Sequence, residues 1–320
     1  MLESKIKLKG KRQVDLIMNR ISVEQIKNGH EGNSFKLQIR RKMKQSFPSG
    51  AKSIDYELAD ATGSIKGRKF INKDDEIKSL FDDIKIGDIC EITGSYSLKY
   101  KSITIDTLKK TQEFNLEEFV KIPKIDDEQL MNEIRSVIEG LENPHLKNLC
   151  KYVFQDEEFV KKYKSIPSAT KYHHTYPKGN LEHIIGVLRI CKTLLNLYDT
   201  SQNRYINRDL LLTSVIFHDV GKLFTYELHN GIGKVTELGA KIDHIVLGNN
   251  FILKQIENFK DFPESLKIDL THLLLSHHGR KEWGSPVTPK TPEAEILHLA
   301  DLLDSRFRKA LEGKFTLSSY

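Results

Sequence analysis

The hydrophobic period of this 320-residue chain changes once, near Asn115, and that change commits it to two kinds of fold. Upstream, apolar and polar residues alternate. In FKLQIRRKM (Phe35–Met43), Phe35, Leu37 and Ile39 fall on one face, the pattern of a half-buried strand. SIDYELADATGSIKGRKF (Ser53–Phe70) reads strand, turn, strand, with Thr62-Gly63 as the turn after Asp60. A short helix is expected at Asp74–Phe81. Two or three more strands follow in Gly87–Leu108, broken around Gly94 and Lys101-Ser102. Short strands with one interposed helix predict a small β-barrel of the OB type.

Downstream, Glu117–Leu130 reads as a linker with Pro123 at its middle. Nearly everything after it has helical spacing. The expected helices are QLMNEIRSVIEGLE, HLKNLCKYVF, Asn180–Tyr198 with Asn180 as N-cap, Asn207–Phe224, and three more reaching Glu312. The last opens with Thr291 as cap, Pro292 at N1 and Glu293 and Glu295 in the first turn. The expected fold class is therefore multidomain α and β: an N-terminal OB-type barrel over 1–113, a linker with leading helices over 114–165, and an all-α bundle over 166–320. No run approaches the ~20 apolar residues of a membrane span. The first residues lack the apolar core of a secretory signal. Cys90, Cys150 and Cys191 are too few and too scattered for a disulfide framework, so a reducing cytoplasm is expected and no membrane partner.

Charge divides with the period. Residues 1–112 hold 23 Lys/Arg against 15 Asp/Glu, and the remaining 208 hold 27 against 29. The positive excess therefore sits in the expected barrel, where a polyanion would be held by counterion release. An ordinary solvated basic surface has the same composition. Arg40, Arg41, Lys42, Lys66, Arg68 and Lys69 interleave there with Tyr56, Phe70, Tyr96 and Tyr100. OB folds hold single strands with such basic grooves and stacking aromatics, although alternation does not say which aromatics fill the interior.

Ten of the twelve histidines lie between His173 and His298. His183, the pair His218-Asp219, His244, the pair His277-His278 and Asp301 all emerge at or near ends of apolar helical runs. Burying these groups without partners costs several kcal/mol each, and a shared metal centre removes that cost. Mixed His/Asp ligation suits Mn²⁺, Fe²⁺, Co²⁺ or Ni²⁺ better than Mg²⁺.

The order H…HD…H…HH…D resembles the HD-domain metal-dependent phosphohydrolases, with HDVGK (His218–Lys222) as the most recognisable segment. YHHTYPKGNLEHI, RDLLLTSVIFHDVGK and LLLSHHGRKEWGSPVTPKTPEAEILHLADLLD, placed after a barrel, are similar to the YhaM family of bacterial 3′–5′ exoribonucleases. Phe70 stands where that family usually has Trp, and YPKGN replaces its YxGGL. The resemblance implies hydrolysis of single-stranded RNA from a free 3′ end to nucleoside 5′-monophosphates, with Mn²⁺ favoured. Single-stranded DNA is left open as a second substrate.

Two cations about 4 Å apart would clamp the phosphodiester. His183, His218 and Asp301 would hold one, and His244, His277 and His278 the second. Asp219 would bridge them. Lys222 would pair with a phosphate oxygen, and His174 or His173 would contact phosphate or act as acid. Arg280 and Lys281 would line the rim, with Trp283 stacking on a base or anchoring its loop. His272 and His298 are expected behind the ligands. No role is expected for His30, His145 or His229. Two other readings stay open: an HD phosphohydrolase of nucleotides or cyclic dinucleotides, and a non-catalytic DNA- or RNA-binding factor. The oligomeric state is not set by the sequence.

Overall fold

The computed structural model describes residues 21–30, 32–120, 126–168, 177–198 and 205–311. They form two compact units. The first runs to residue 120 and includes His229–Ile232, and the second holds the rest.

In the first unit, β1 (Ser34–Ser46), β2 (Lys52–Asp60), β3 (Gly63–Phe70), β4 (Ile89–Ser97) and β5 (Ser102–Lys110) close in the order β1-β2-β3-β5-β4. Only β3 and β5 pair in parallel. Helix α1 (Val23–Lys27) precedes the barrel, and α2 (Asp74–Asp83) lies between β3 and β4. The alternation of β1 puts Phe35, Leu37 and Ile39 inside with Ile54, Tyr56, Leu58, Ile92, Ile103 and Ile105. The register shifts between Ile39 and Arg41, ending strict alternation. Residues 229–232 complete a smaller cluster of Ile89, Phe119, Val120 and Ile232. His229 Nε2 meets Asp88 Oδ1 at 2.7 Å, so this histidine has a partner the sequence reading did not give it.

The second unit is a helical bundle: α3 (Asp127–Glu139), α4 (Pro144–Phe154), α5 (Glu157–Ser165), α6 (Gly179–Tyr198), α7 (Arg208–Phe217), α8 (Lys222–Thr225), α9 (Glu237–Ile242), α10 (His244–Ile256), α11 (Glu264–Ser276) and α12 (Pro292–Leu311). Side-chain caps start several of them. Asp126 accepts from Gln129 N at 3.0 Å, and Asn143, Asp156 and Asn207 act likewise. Three features depart from the sequence reading. The Asp126 cap starts α3 inside the expected linker, whose residues 121–125 lie outside the described set. The expected helix Asn207–Phe224 breaks after Phe217 and resumes at Lys222. A hairpin of β6 (Tyr226–His229) and β7 (Ile232–Val235) interrupts the helices, turning at Asn230-Gly231 with φ of 47° and 75°. No helix among the described residues is long and apolar enough to cross a membrane.

Asn180 is not the N-cap of α6 but sits in its first turn, fully buried, and neither amide atom has a hydrogen-bond partner among the described residues. An unpaired buried amide costs about 1–3 kcal/mol. The nearly isosteric Asn180→Leu is therefore expected to raise the urea midpoint at unchanged slope, by a stability gain of roughly that size. A lowered midpoint would show that the amide is satisfied in solution.

Candidate metal centre

The bundle core dictates where the polar residues point. On α6, Leu181, Ile184, Ile185 and Leu188 are buried, which carries His183 inward with them. Helix α7 is buried from Asp209 to Phe217 and ends with His218 as C-cap, so His218 and Asp219 leave it inside the protein. The chain then turns through Gly221, where a Cβ would stand 1.8 Å from the carbonyl oxygen of His244. Only glycine lets this turn pack against the start of α10, and that contact places His244 beside Asp219. Helix α11 ends in the same way, with His277 as C-cap and His278 following. Asp301 comes from the inner face of α12.

The described residues contain two clusters of potential ligands: His183, His218 and Asp301, and His244, His277 and His278. Each cluster's ligand atoms lie within 4.8 Å of one another. Asp219 stands between them. Its Oδ2 is 3.5 Å from His183 Nε2 and 3.4 Å from His218 Nε2, while its Oδ1 is 3.5 Å from His244 Nε2 and 4.0 Å from His277 Nε2. His183 Nε2 is also 3.3 Å from His218 Nε2 and 3.1 Å from Asp301 Oδ1. Atoms sharing one ion at about 2.1 Å stand roughly 3.0–3.5 Å apart, so most of these spacings suit ligation.

The outer ring nitrogens explain the inward ones. Every Nδ1 of the five histidines has an acceptor: Asp304 Oδ2 for His183 at 2.7 Å, Val215 O for His218 at 2.8 Å, Asp243 Oδ1 for His244 at 2.5 Å, Leu274 O for His277 at 2.7 Å and Trp283 O for His278 at 2.9 Å. An Nδ1–H that donates outward leaves the Nε2 lone pair free to point inward. The buried Nε2 atoms of His244 and His277 have no hydrogen-bond partner among the described residues. Two orphaned acceptors facing a carboxylate are a poor arrangement for protein alone, and a cation would satisfy all three.

Electrostatics agree. Burial pushes the His277 imidazole well below its ordinary value, and neighbouring His278 and His218 add to this, which keeps it in the neutral ligating form. Burial lowers His278 as well. Burial opposes ionisation of Asp219, but Lys222, His218 and His183 outweigh it and hold the carboxyl well below the usual range. At His183 burial disfavours charge, yet Asp301 and Asp304 prevail and raise it to about 9. Without a cation, the first cluster would hold a proton in its place.

Asp304 and Asp243 were not singled out from sequence. Asp304 lies one turn beyond Asp301 on α12, and Asp243 immediately precedes His244. The approach of Asp304 to His183 requires Gly186, where a Cβ would fall 2.0 Å from Asp304 Oδ1. His298 Nδ1 lies 3.0 Å from His277 O, behind that ligand, while the His272 ring accepts from Lys290 N at 3.0 Å.

Lys222 is buried, with its ammonium 2.5 Å from Asp219 Oδ2 and 3.2 Å from Ser168 Oγ. Its cation is thus held by the carboxylate between the clusters. His173 and His174 lie outside the described residues. Arg280 and Lys281 are exposed, and the Arg280 guanidinium lies 4.7 Å from the centroid of the partly exposed Trp283 ring.

In the barrel, several expected contacts are occupied by the protein itself. Arg40 donates to Phe119 O at 2.7 Å. Lys42 caps the end of α2 through the carbonyls of Phe81 and Ile84. Arg68 forms a fork on Asp55 at 2.7 and 2.6 Å. Tyr96 packs half-buried against the core, and Tyr56 is inside it. Arg41, Phe70 and Tyr100 are exposed, and Phe70 lies 6.2 Å from Phe47.

Residues 180–306 match the HD domain family. The 3′-5′ exoribonuclease YhaM of Geobacillus sp. (strain WCH70) is 32% identical over 295 residues, covering 89% of this chain and 87% of that protein. That of Bacillus subtilis (strain 168) is 30% identical over 291 residues, covering 88% and 89%. Among solved structures, a domain of replication protein A from Methanococcus maripaludis covers 27% of this chain and 92% of its own, at 21% identity and a TM-score of 0.22. With a relative 32% identical along nearly its whole length, the chain belongs to the YhaM family of 3′-5′ exoribonucleases.

Proposed function

We propose that this protein is a metal-dependent 3′–5′ exoribonuclease whose centre holds two divalent transition ions. The observation that carries this reading is Asp219, which turns one carboxylate oxygen toward each ligand cluster. His183, His218 and Asp301 would hold one ion, and His244, His277 and His278 the other. Five neutral imidazoles and two carboxylates favour Mn²⁺ or its neighbours over Mg²⁺. When bound, the ions neutralise the phosphodiester and lower the pKa of a water between them. The chain's own residues do the rest. Asp304 and Asp243 fix two of the rings. Lys222 compensates the buried Asp219 charge and would also pair with a phosphate oxygen of the substrate. Arg280 and Lys281 supply positive charge next to the His277-His278 pair, and Trp283 offers a face for a base. His174 remains a candidate for phosphate contact. On the barrel, Phe70, Tyr100 and Arg41 are the exposed groups suited to a single strand, so stacking there would rest on Phe70. Burial raises the thiols of Cys90, Cys150 and Cys191 to about 12, and such inert thiols suit a reducing cytoplasm.

A time course on 5′-labelled single-stranded RNA with Mn²⁺ tests the proposal. The label is expected to pass through a ladder of steadily shorter oligonucleotides, with nucleoside 5′-monophosphates released and an unlabelled DNA strand of equal sequence competing. Immediate release of labelled mononucleotide would reverse the polarity. An intact oligonucleotide beside a dephosphorylated mononucleotide would favour a nucleotide phosphohydrolase instead.

A further inference from the structure

Helix α12 carries Asp301 on one face and a bare apolar row on the other. Ala294, Leu297, Ala300 and Asp304 are buried, while Leu299, Leu303, Phe307 and Leu311 are 48, 52, 64 and 71% exposed. The four recur every fourth residue, a row about 18 Å long. Scattered surface leucines need no explanation, but a contiguous row of large apolar side chains on one helix marks a contact surface.

The charges beside the row say what fits it. Glu295 stands before the two leucines and Arg306 after them, on the same outer face. Both are exposed, and neither has an ion-pair partner among the described residues. Any occupant must be apolar in the middle, basic opposite Glu295 and acidic opposite Arg306. The same helix turned end for end meets all three conditions. A two-fold axis midway between residues 300 and 301 places Glu295 of each copy level with Arg306 of the other, and brings Leu299 of each copy within one residue's rise, about 1.5 Å, of the level of Leu303 of the other. Antiparallel helices also place opposite dipole ends together. Such a contact is isologous, so it closes as a pair rather than growing into a filament.

We propose that the outer face of α12 joins two copies of this chain as an antiparallel, two-fold dimer. One helix pair buries less than a standard interface, so a dissociation constant on the order of 10 µM is expected. Sedimentation velocity of the full chain between about 1 and 100 µM tests this, with a reversible doubling of the 36.9 kDa mass expected. Leu303→Glu should leave only monomer over that range. Glu295→Arg and Arg306→Glu should each weaken association about tenfold or more, and combining them should restore it, because the reversed pair is again complementary. Circular dichroism and metal content like those of the wild type would show that the variants fold. A monomeric wild type overturns the proposal. So does a dimer indifferent to Leu303→Glu, or a double reversal no better than the singles. A monomer that dimerises only after deletion of residues 1–20 would show that the chain's own N-terminal segment, not a second copy, covers the face.

Discussion

Asp219→Ala is expected to lower RNA hydrolysis by about 10³-fold or more, because one side chain serves both ligand clusters. Affinity for a single-stranded oligonucleotide should stay within roughly threefold, since the groups proposed to hold the strand lie on other residues. The substitution also has a structural cost that must be separated from the chemical one. Lys222 is buried with its ammonium 2.5 Å from Asp219, and removing the carboxylate leaves an uncompensated cation. Breaking a buried pair in this way costs about 3–5 kcal/mol. The double variant Asp219→Ala, Lys222→Met removes both charges, so its urea midpoint should recover most of the loss while activity stays absent. Oligonucleotide time courses and urea titrations of the two variants read these effects apart. Activity near that of the wild type in either would end the assignment of Asp219.

Asp304→Asn should weaken metal binding about 10–100-fold, the usual cost of losing a partner that orients a ligand. The amide can still accept from His183 Nδ1, so the ring keeps its direction but loses the negative charge that makes it a better donor. Asp304→Ala should cost more, because the ring is then released as well. Asp243 is the matching partner of His244, but its side chain is 61% exposed against 7% for Asp304. Water screens the exposed carboxylate, so Asp243→Asn should have the smaller effect. Titration calorimetry with Mn²⁺ on the metal-free protein measures both. Wild-type affinity in Asp304→Asn, or the larger loss in Asp243→Asn, would contradict this account of the two rings.

The barrel was legible because its strands alternate over most of their length and the β2–β3 hairpin turns at Thr62-Gly63. The β4–β5 hairpin turns instead at Lys101, whose φ of 49° a lysine seldom adopts. One helical cap was legible too: Thr291 accepts from Ala294 N at 3.2 Å, whereas Asn180, expected as a cap, lies inside the first turn of α6. The break after Phe217 was not, since nothing in HDVGK forbids a helix. It is enforced from outside, by the close packing of Gly221 against α10. The hairpin at 226–235 left a trace in Asn230-Gly231, but its four-residue strands are too short to show a period. The seven residues brought together in the centre could be named from sequence because imidazole and carboxylate at the ends of apolar helices are costly without a shared partner. Asp304 and Asp243 escaped notice because an acidic residue within an amphipathic helix, like Asp304, or at a helix end, like Asp243, usually faces water. Sequence was least informative about the basic patch. A count of charges does not separate Arg41, which faces solvent, from Lys42, which caps α2, or Arg68, which is bound to Asp55.

The central claim is that two clusters share Asp219 around two ions, and anomalous diffraction from a crystal of the protein grown with Mn²⁺ tests it most directly. Two peaks are predicted, one among His183, His218 and Asp301 and one among His244, His277 and His278, each in contact with a different oxygen of Asp219. A crystal with no peak at either cluster, or with manganese bound only elsewhere, would contradict it.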